Sequence, residues 1–361
     1  MLWNLGQRGG SRYTLELARS LAGRSDVRLS LAVSRQADIY DDMMALEVPT
    51  LSVDTYSSLA GFAAGFARLP AIAAQFGNFL REQRVEVALC AMVHLWNPFL
   101  AGAIKRAGAA NVLVVHDAAP HPGENGWRRP LMRNDYRQAD LLLSLTGSVR
   151  DRLVAEMGVP PGKVILSAHG PLRYGSGGVR TLGEPPYQLL LFGRLLPYKG
   201  IDRLIEAMRL LEGENFPARL RLVGQGPLKI ESLPGNTELD RRWVGDDEIP
   251  GLFAQADLLV LPYQEASQSG VLAIAQHLGL PPLVTPVGGL IEQVEGGRSG
   301  FVADDISARG LADAVKRAFG DAEAYRRLSQ TLLDAGGDGQ WAEIAGKLVG
   351  DLHKWWSLNR F

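Results

Sequence analysis

Short, continuous apolar runs alternate along this chain with longer stretches in which apolar residues recur every three or four positions. In the first half the runs fall at 29–33, 85–89, 111–115, 141–145 and 164–166, and residues 1–4 read as the tail of a first strand. In the second half they fall at 188–192, 220–223, 242–244, 258–262 and 282–285. Runs this short and apolar on both faces predict strands of a parallel sheet covered on both sides. Between them, Tyr13, Leu15, Leu17, Ala18 and Leu21 mark one helix, and others are predicted over 201–211, 309–329 and from Trp341 onward. Residues 59–80, rich in Ala, Gly and Phe but interrupted by Pro70, predict a pair of helices packed on the sheet. Ser148 is predicted to cap the helix through Met157. Strand–helix alternation in both halves predicts an α/β protein with two doubly wound domains.

One stretch organises the rest. The run at 258–262 leads through a polar loop carrying Glu265 to Gly270, where the pattern turns helical until Gly279 and Pro281 stop it. A strand, a polar loop and a helix start aim unpaired N–H groups at whatever lies beyond the strand end, which is how phosphate is bound. An ordinary βαβ loop that binds nothing has the same outline. After it, Gly288-Gly289 is predicted to form a turn.

A chain of 361 residues exceeds the size at which one core stops growing, so two domains are expected. The boundaries read as 1–172, a Gly/Pro/Arg-rich linker over 173–187, a second domain over 188–340 and a helix over 341–361 that crosses back to the first. Net charge is −1, which gives no reason to expect nucleic acid. The halves differ: residues 1–175 hold 19 basic against 15 acidic residues, and the remainder 19 against 24. The lone Cys90 reads as a buried small hydrophobe. Neither a signal peptide nor an apolar stretch of membrane-spanning length is present, so a cytoplasmic location is expected.

Candidate chemistry clusters at predicted strand ends, where open α/β sheets bind ligands. His94, His116 and His121 follow two such strands in the first half. They lack the HExxH spacing and cysteine partners of a zinc site. The early Gly6-Gln7-Arg8-Gly9-Gly10 turn lets backbone approach a ligand, yet has no GxGxxG spacing and so does not indicate a nicotinamide cofactor. A P-loop is excluded for the same kind of reason. In the second half Arg194 and Lys199 follow a strand beside Gly193 and Gly200. A guanidinium fork and an ammonium facing a helix start suit a diphosphate. Arg128, Arg129, Arg133 and Arg137 form a basic run which, with the aromatic-rich 59–80 segment, suits an anionic membrane surface; a solvated helix face is the plainer reading.

Gly193-Arg194-x₄-Lys199-Gly200, the GxGP at 224–227 and SQSGVLAIA…GLPPLVTPVGGLIE through Glu292 resemble the retaining glycosyltransferases of family 4, which have the GT-B fold. The likeness extends to GQRGGSRYTLELARSLA and to VVHDAAPHPGE at 114–124, a segment seen in bacterial polysaccharide and lipid-glycan members. It implies two Rossmann-like domains facing across a cleft and a UDP- or GDP-linked sugar as donor substrate, with no cofactor and no metal. On this resemblance Arg194 and Lys199 bind the diphosphate, His116 lies near the transferred sugar, and Glu265 joins them as a catalytic candidate. Gly9, Gly10, Gly193, Gly224, Val244, Gln268, Ser269, Gly270 and Val271 are the expected donor contacts. The acceptor is expected to be a glycan or a lipid-linked sugar, reached through peripheral contact of the N-terminal domain with the cytoplasmic face of the inner membrane.

The family's two glutamates, eight residues apart, fall here on Ala266 and Ile274. Glu265 is one residue from the first; the second, which in the family contacts the ribose, has no replacement. That departure motivates an alternative, a silent sugar-nucleotide-binding partner subunit. A GT-B-type sugar-nucleotide epimerase is the alternative among enzymes. With no evident carboxylate pair, the expected chemistry is front-face attack by the acceptor hydroxyl.

Overall fold

The computed structural model describes residues 1–6, 11–56, 59–121 and 126–359. By contact these fall into two units. One holds Met1–Pro120, Gly126–Gly170 and Trp341–Phe361, and the other holds Pro171–Gln340 together with His121.

The first unit is built on seven strands: β1 (Leu2–Asn4), β2 (Leu31–Ser34), β3 (Thr50–Val53), β4 (Val87–Cys90), β5 (Ala110–Val115), β6 (Leu141–Ser144) and β7 (Val164–Leu166). Their order in the sheet is β3-β2-β1-β4-β5-β6-β7, and every pairing is parallel. Short β1 is therefore central, with Leu2 opposite Leu31 on one side and Leu89 on the other. All six residues of β5 are buried, as a strand covered on both faces requires. Trp3, Phe76, Trp96, Leu100 and Leu142 fill the space between sheet and helices. The final helix, Asp338–Asn359, packs its Trp341 beside Tyr13, and the Ser20 hydroxyl donates to the Trp341 carbonyl at 2.9 Å.

The second unit has six parallel strands: β8 (Tyr187–Phe192), β9 (Ala218–Val223), β10 (Thr237–Asp240), β11 (Leu258–Leu261), β12 (Pro282–Val284) and β13 (Phe301–Val302). They are ordered β10-β9-β8-β11-β12-β13. Leu189, Leu191, Leu204, Met208, Leu220 and Leu258 form its core. Residues 173–186 carry no helix or strand, and their backbone is tied to this unit by bonds such as Arg180 N–H to Ser329 Oγ at 2.7 Å.

Several local expectations are corrected. The segment around Pro70 is one helix, Leu59–Glu82, because Leu69, Ile72, Phe76 and Leu80 bury a continuous stripe that outweighs one lost backbone bond. Thr146, not Ser148, caps the following helix by accepting the Val149 N–H at 3.2 Å. The strand expected over 242–244 lies earlier, at β10; Arg242 instead leaves the sheet to pair with Asp240 and Glu248. Gly288 and Gly289 start a short helix, Gly288–Gln293, rather than a turn. The helix expected over 309–329 is two, Ala308–Gly320 and Ala322–Ala335, divided where Asp321 caps the second.

Candidate functional site

Each sheet has a point where the strand order reverses, and loops leaving the C-terminal ends there diverge to open a crevice. In the second unit that point lies between β8 and β11. The loop after β8 carries Gly193, Arg194 and Lys199, and the loop after β11 carries Tyr263, Glu265, Gln268 and Ser269. Glycine makes the crossing of these loops feasible. Gly224, at φ +149°, passes so close to the Gly193 carbonyl that a Cβ would strike it, and Gly200, at φ +64°, likewise abuts the Pro262 carbonyl.

Lys199 ends the short 3₁₀ turn Pro197–Lys199 and is 7% exposed, so it is no solvated surface cation. Its ammonium donates to Tyr263 Oη at 2.5 Å and lies 4.2 Å from that ring's centroid. Burial pushes the Tyr263 phenol up to about 12, while its bond to Ser269 and the charge of Arg194 pull the other way. Arg194 itself is exposed. Ser269 is the N-cap of the helix Gly270–Leu278, with Oγ accepting the Leu272 N–H at 3.4 Å. Gly270 and Val271 thus head the helix on the crevice side of the sheet, and the Val271 side chain packs toward Gly193.

The loop is fastened from behind. Thr285 Oγ1 donates to the Tyr263 carbonyl at 2.5 Å, Gly289 N–H to the Ala266 carbonyl at 2.9 Å, and the Gln293 amide bonds both the N–H and the carbonyl of Ser269. The buried Oε1 of Gln268 has no hydrogen-bond partner among the described residues. Glu265 is partly exposed, 3.7 Å from Nδ1 of the buried His121, whose ring stacks on Tyr198 at 4.2 Å. Val244 is buried in the loop after β10, beside an exposed Trp243.

In the first unit the reversal lies between β1 and β4. Asn4 fixes the loop after β1 by accepting the Gly6 N–H at 2.8 Å and donating to Thr14 at 3.1 Å. Gly9 and Gly10 lie outside the described residues. His116 follows β5; its Nε2 donates to the Ala91 carbonyl at 3.0 Å, and burial holds its pKa below the ordinary imidazole value. Tyr13 sits between His116 and His169, with centroids 5.1 and 5.3 Å away. His169, pushed down to about 4 by burial, donates from Nδ1 to the Gly170 carbonyl at 2.8 Å. His94 accepts the Trp96 N–H and packs against Tyr56 and Trp96, a structural role. The sequence reading took Tyr13 only as an apolar helix position and gave Tyr198 and Tyr263 no role, although Tyr263 directly follows the strand–proline end that marked the loop.

Among the described residues no group of three or more His, Cys, Asp or Glu is arranged to hold a metal, and no helix is long and apolar enough to cross a membrane.

A family model described as glycosyl transferases group 1 matches residues 186–321, and a glycosyl transferase 4-like domain matches 8–169. The chain belongs to the glycosyltransferase family 4 type, with the GT-B fold of two Rossmann-like domains. Similar relatives include a protein named putative colanic acid biosynthesis glycosyltransferase WcaL from Salmonella typhimurium. It is 28% identical over 192 residues, 49% of this chain and 47% of that one. Another is a GDP-mannose-dependent α-(1-6)-phosphatidylinositol monomannoside mannosyltransferase from Mycolicibacterium smegmatis, 26% identical over 74% of this chain and 75% of the relative. The chain thus spans about half the length of the first relative. Among solved structures, Anabaena HepE with UDP and glucose matches at a TM-score of 0.71, with 15% identity and 98% of each chain covered. Ala266 and Ile274, where the resemblance puts the family's two glutamates, are 3% and 5% exposed.

Proposed function

We propose that this chain moves a glycosyl group from a nucleotide-diphosphate sugar to a hydroxyl of a glycan or lipid-linked acceptor, with retention of configuration and without a metal ion. The observation that carries this is the meeting of Arg194, Lys199 and the capped start of Gly270–Leu278 at the β8/β11 reversal. A fork, a point charge and backbone N–H groups together match a diphosphate. The names of the relatives, one GDP-mannose-dependent and one structure holding UDP and glucose, favour a GDP- or UDP-linked donor.

In the reaction the bond between the anomeric carbon and the diphosphate oxygen breaks. A bond from that carbon to the acceptor oxygen forms on the same face, and the acceptor proton passes to the departing phosphate oxygen. Negative charge grows on the diphosphate as the sugar becomes oxocarbenium-like. Fixed donors aimed at such charge contribute most to rate, about 2.7–4 kcal/mol for each one removed in comparable sites. Two cations and a helix start can supply this neutralisation themselves. Incubation with UDP- and GDP-linked sugars plus acceptor should yield nucleoside diphosphate and an α-glycoside from an α-donor by NMR, undiminished in EDTA. An inverted product, or activity lost to EDTA and restored by Mg²⁺ or Mn²⁺, would contradict the reading.

The acceptor side is read from the helix Arg128–Gln138, where Arg128, Arg129, Arg133 and Arg137 are exposed beside Trp127 and Leu131, also exposed. Basic charge next to apolar side chains fits an anionic bilayer, at about 1 kcal/mol for each basic residue near the surface. Vesicles containing phosphatidylserine should sediment the protein at low salt and release it at 0.5 M salt; a protein that stays in the supernatant throughout has no such docking face.

A further inference from the structure

We propose that Tyr263 is a positioning residue that holds the Lys199 ammonium against the donor's diphosphate, an inference that rests on the donor-site reading above.

A lysine is a compact charge on a flexible stem, and ordering it forfeits rotamer entropy. A buried ammonium also needs partners in place of water. Tyr263 meets both needs: its hydroxyl is 2.5 Å from Nζ and its ring 4.2 Å away, within reach of a cation–π contact. An ammonium has only donors, so the phenol accepts from Lys199, which leaves its own proton to be given elsewhere. Ser269 Oγ, 3.4 Å from Tyr263 Oη, is in place to take it, and the same Oγ accepts the Leu272 N–H. Lys199 is thereby tied through one tyrosine to the start of the helix.

Tyr263 can serve as an anchor because it is itself immobile. It is 2% exposed, its carbonyl is held by Thr285, and its ring meets Tyr198 edge-on at 6.0 Å. Its chemistry also explains why a phenol serves better than a carboxylate. With its pKa pushed to about 12 it stays neutral near pH 7, so it orients the ammonium without cancelling the charge that a diphosphate would meet. On the other side Gly193 has no side chain, and a Cβ there would lie 3.8 Å from Nζ.

A tyrosine that merely fills the core would leave ligand binding untouched when its hydroxyl is removed. The test is a double-mutant cycle on the full chain, with UDP, GDP and inorganic pyrophosphate titrated calorimetrically into wild type, Tyr263→Phe, Lys199→Ala and the double variant. Thermal melting within a few degrees of wild type shows that the fold survives. The proposal expects Tyr263→Phe to weaken binding about tenfold in the wild-type background and to change nothing once Lys199 is gone. Wild-type affinity in Tyr263→Phe, or an equal loss with and without Lys199, overturns the positioning role while a loss in Lys199→Ala keeps the donor site. Wild-type affinity in Lys199→Ala overturns the donor-site reading and this proposal with it.

Discussion

Replacing Asp135 by Asn should stabilise the first unit at alkaline pH and much less in acid. Asp135 lies on the helix Arg128–Gln138, is 5% exposed, and burial raises its carboxyl to about 7. Its charge also helps push Cys90 and Tyr136 upward. Between about pH 4 and 7 the folded chain keeps a proton that the unfolded chain has released. Stability therefore falls as pH rises, by about 1.4 kcal/mol per pH unit across that window. A rise of about three units amounts to up to about 4 kcal/mol at pH 8, against about 1.5 kcal/mol at pH 5, where only the first part of the window has been crossed. Asparagine has the same shape and no ionisation, so it removes the cost. Guanidinium unfolding followed by tryptophan fluorescence at both pH values measures the gain. A gain equal at the two values, or none at pH 8, refutes the reasoning.

Three further outcomes are expected. His94 and His169, both pushed by burial to about 4, stay neutral in the fold while the unfolded chain protonates below about pH 6.5. Each should cost up to about 3 kcal/mol as pH falls from 6.5 to 4, so His94→Gln or His169→Gln should flatten the acid limb of a stability profile; an unchanged limb contradicts this. Gly224→Ala should destabilise the second unit by several kcal/mol through its φ of +149° and the clash with the Gly193 carbonyl, with wild-type denaturation as the contrary result. Because the helix Gly270–Leu278 carries no carboxylate, with the buried Ile274 where the resemblance expects one for the ribose, UDP and 2′-deoxy-UDP (or the GDP pair) should bind within about threefold; discrimination beyond about tenfold, 1.4 kcal/mol, would refute it.

Strands were legible in the sequence where both faces are buried, as in β5 and β11, because an uninterrupted apolar run then has one reading. Of the edge strands β7 was legible, whereas β3 and β10 were not. β3 (TLSV) is half polar, and β10 (TELD) is charged and pairs on one side only, so backbone bonding decides them rather than pattern. Pro70 misled because propensity is local, whereas the buried stripe that overrides it is tertiary. At the site, Arg194, Lys199, Ser269 and Gly270 could be singled out from their places after strands. The burial of Lys199 could not, since it depends on Tyr263, 64 residues away. His121 shows the same limit: sequence grouped it with His116, yet its contacts are with Tyr198 and Glu265.

The most direct test of the donor site is turnover of UDP- and GDP-linked sugars by wild type and by Arg194→Ala, with released nucleoside diphosphate measured by chromatography. Arg194 is exposed, so its removal leaves the core intact, and its guanidinium is assigned to the diphosphate where charge develops. The account predicts release from at least one donor and a loss of about a hundredfold or more in the variant, the effect of deleting one such donor. Undiminished release by a folded Arg194→Ala chain, or no release and no nucleotide binding by wild type, would contradict it.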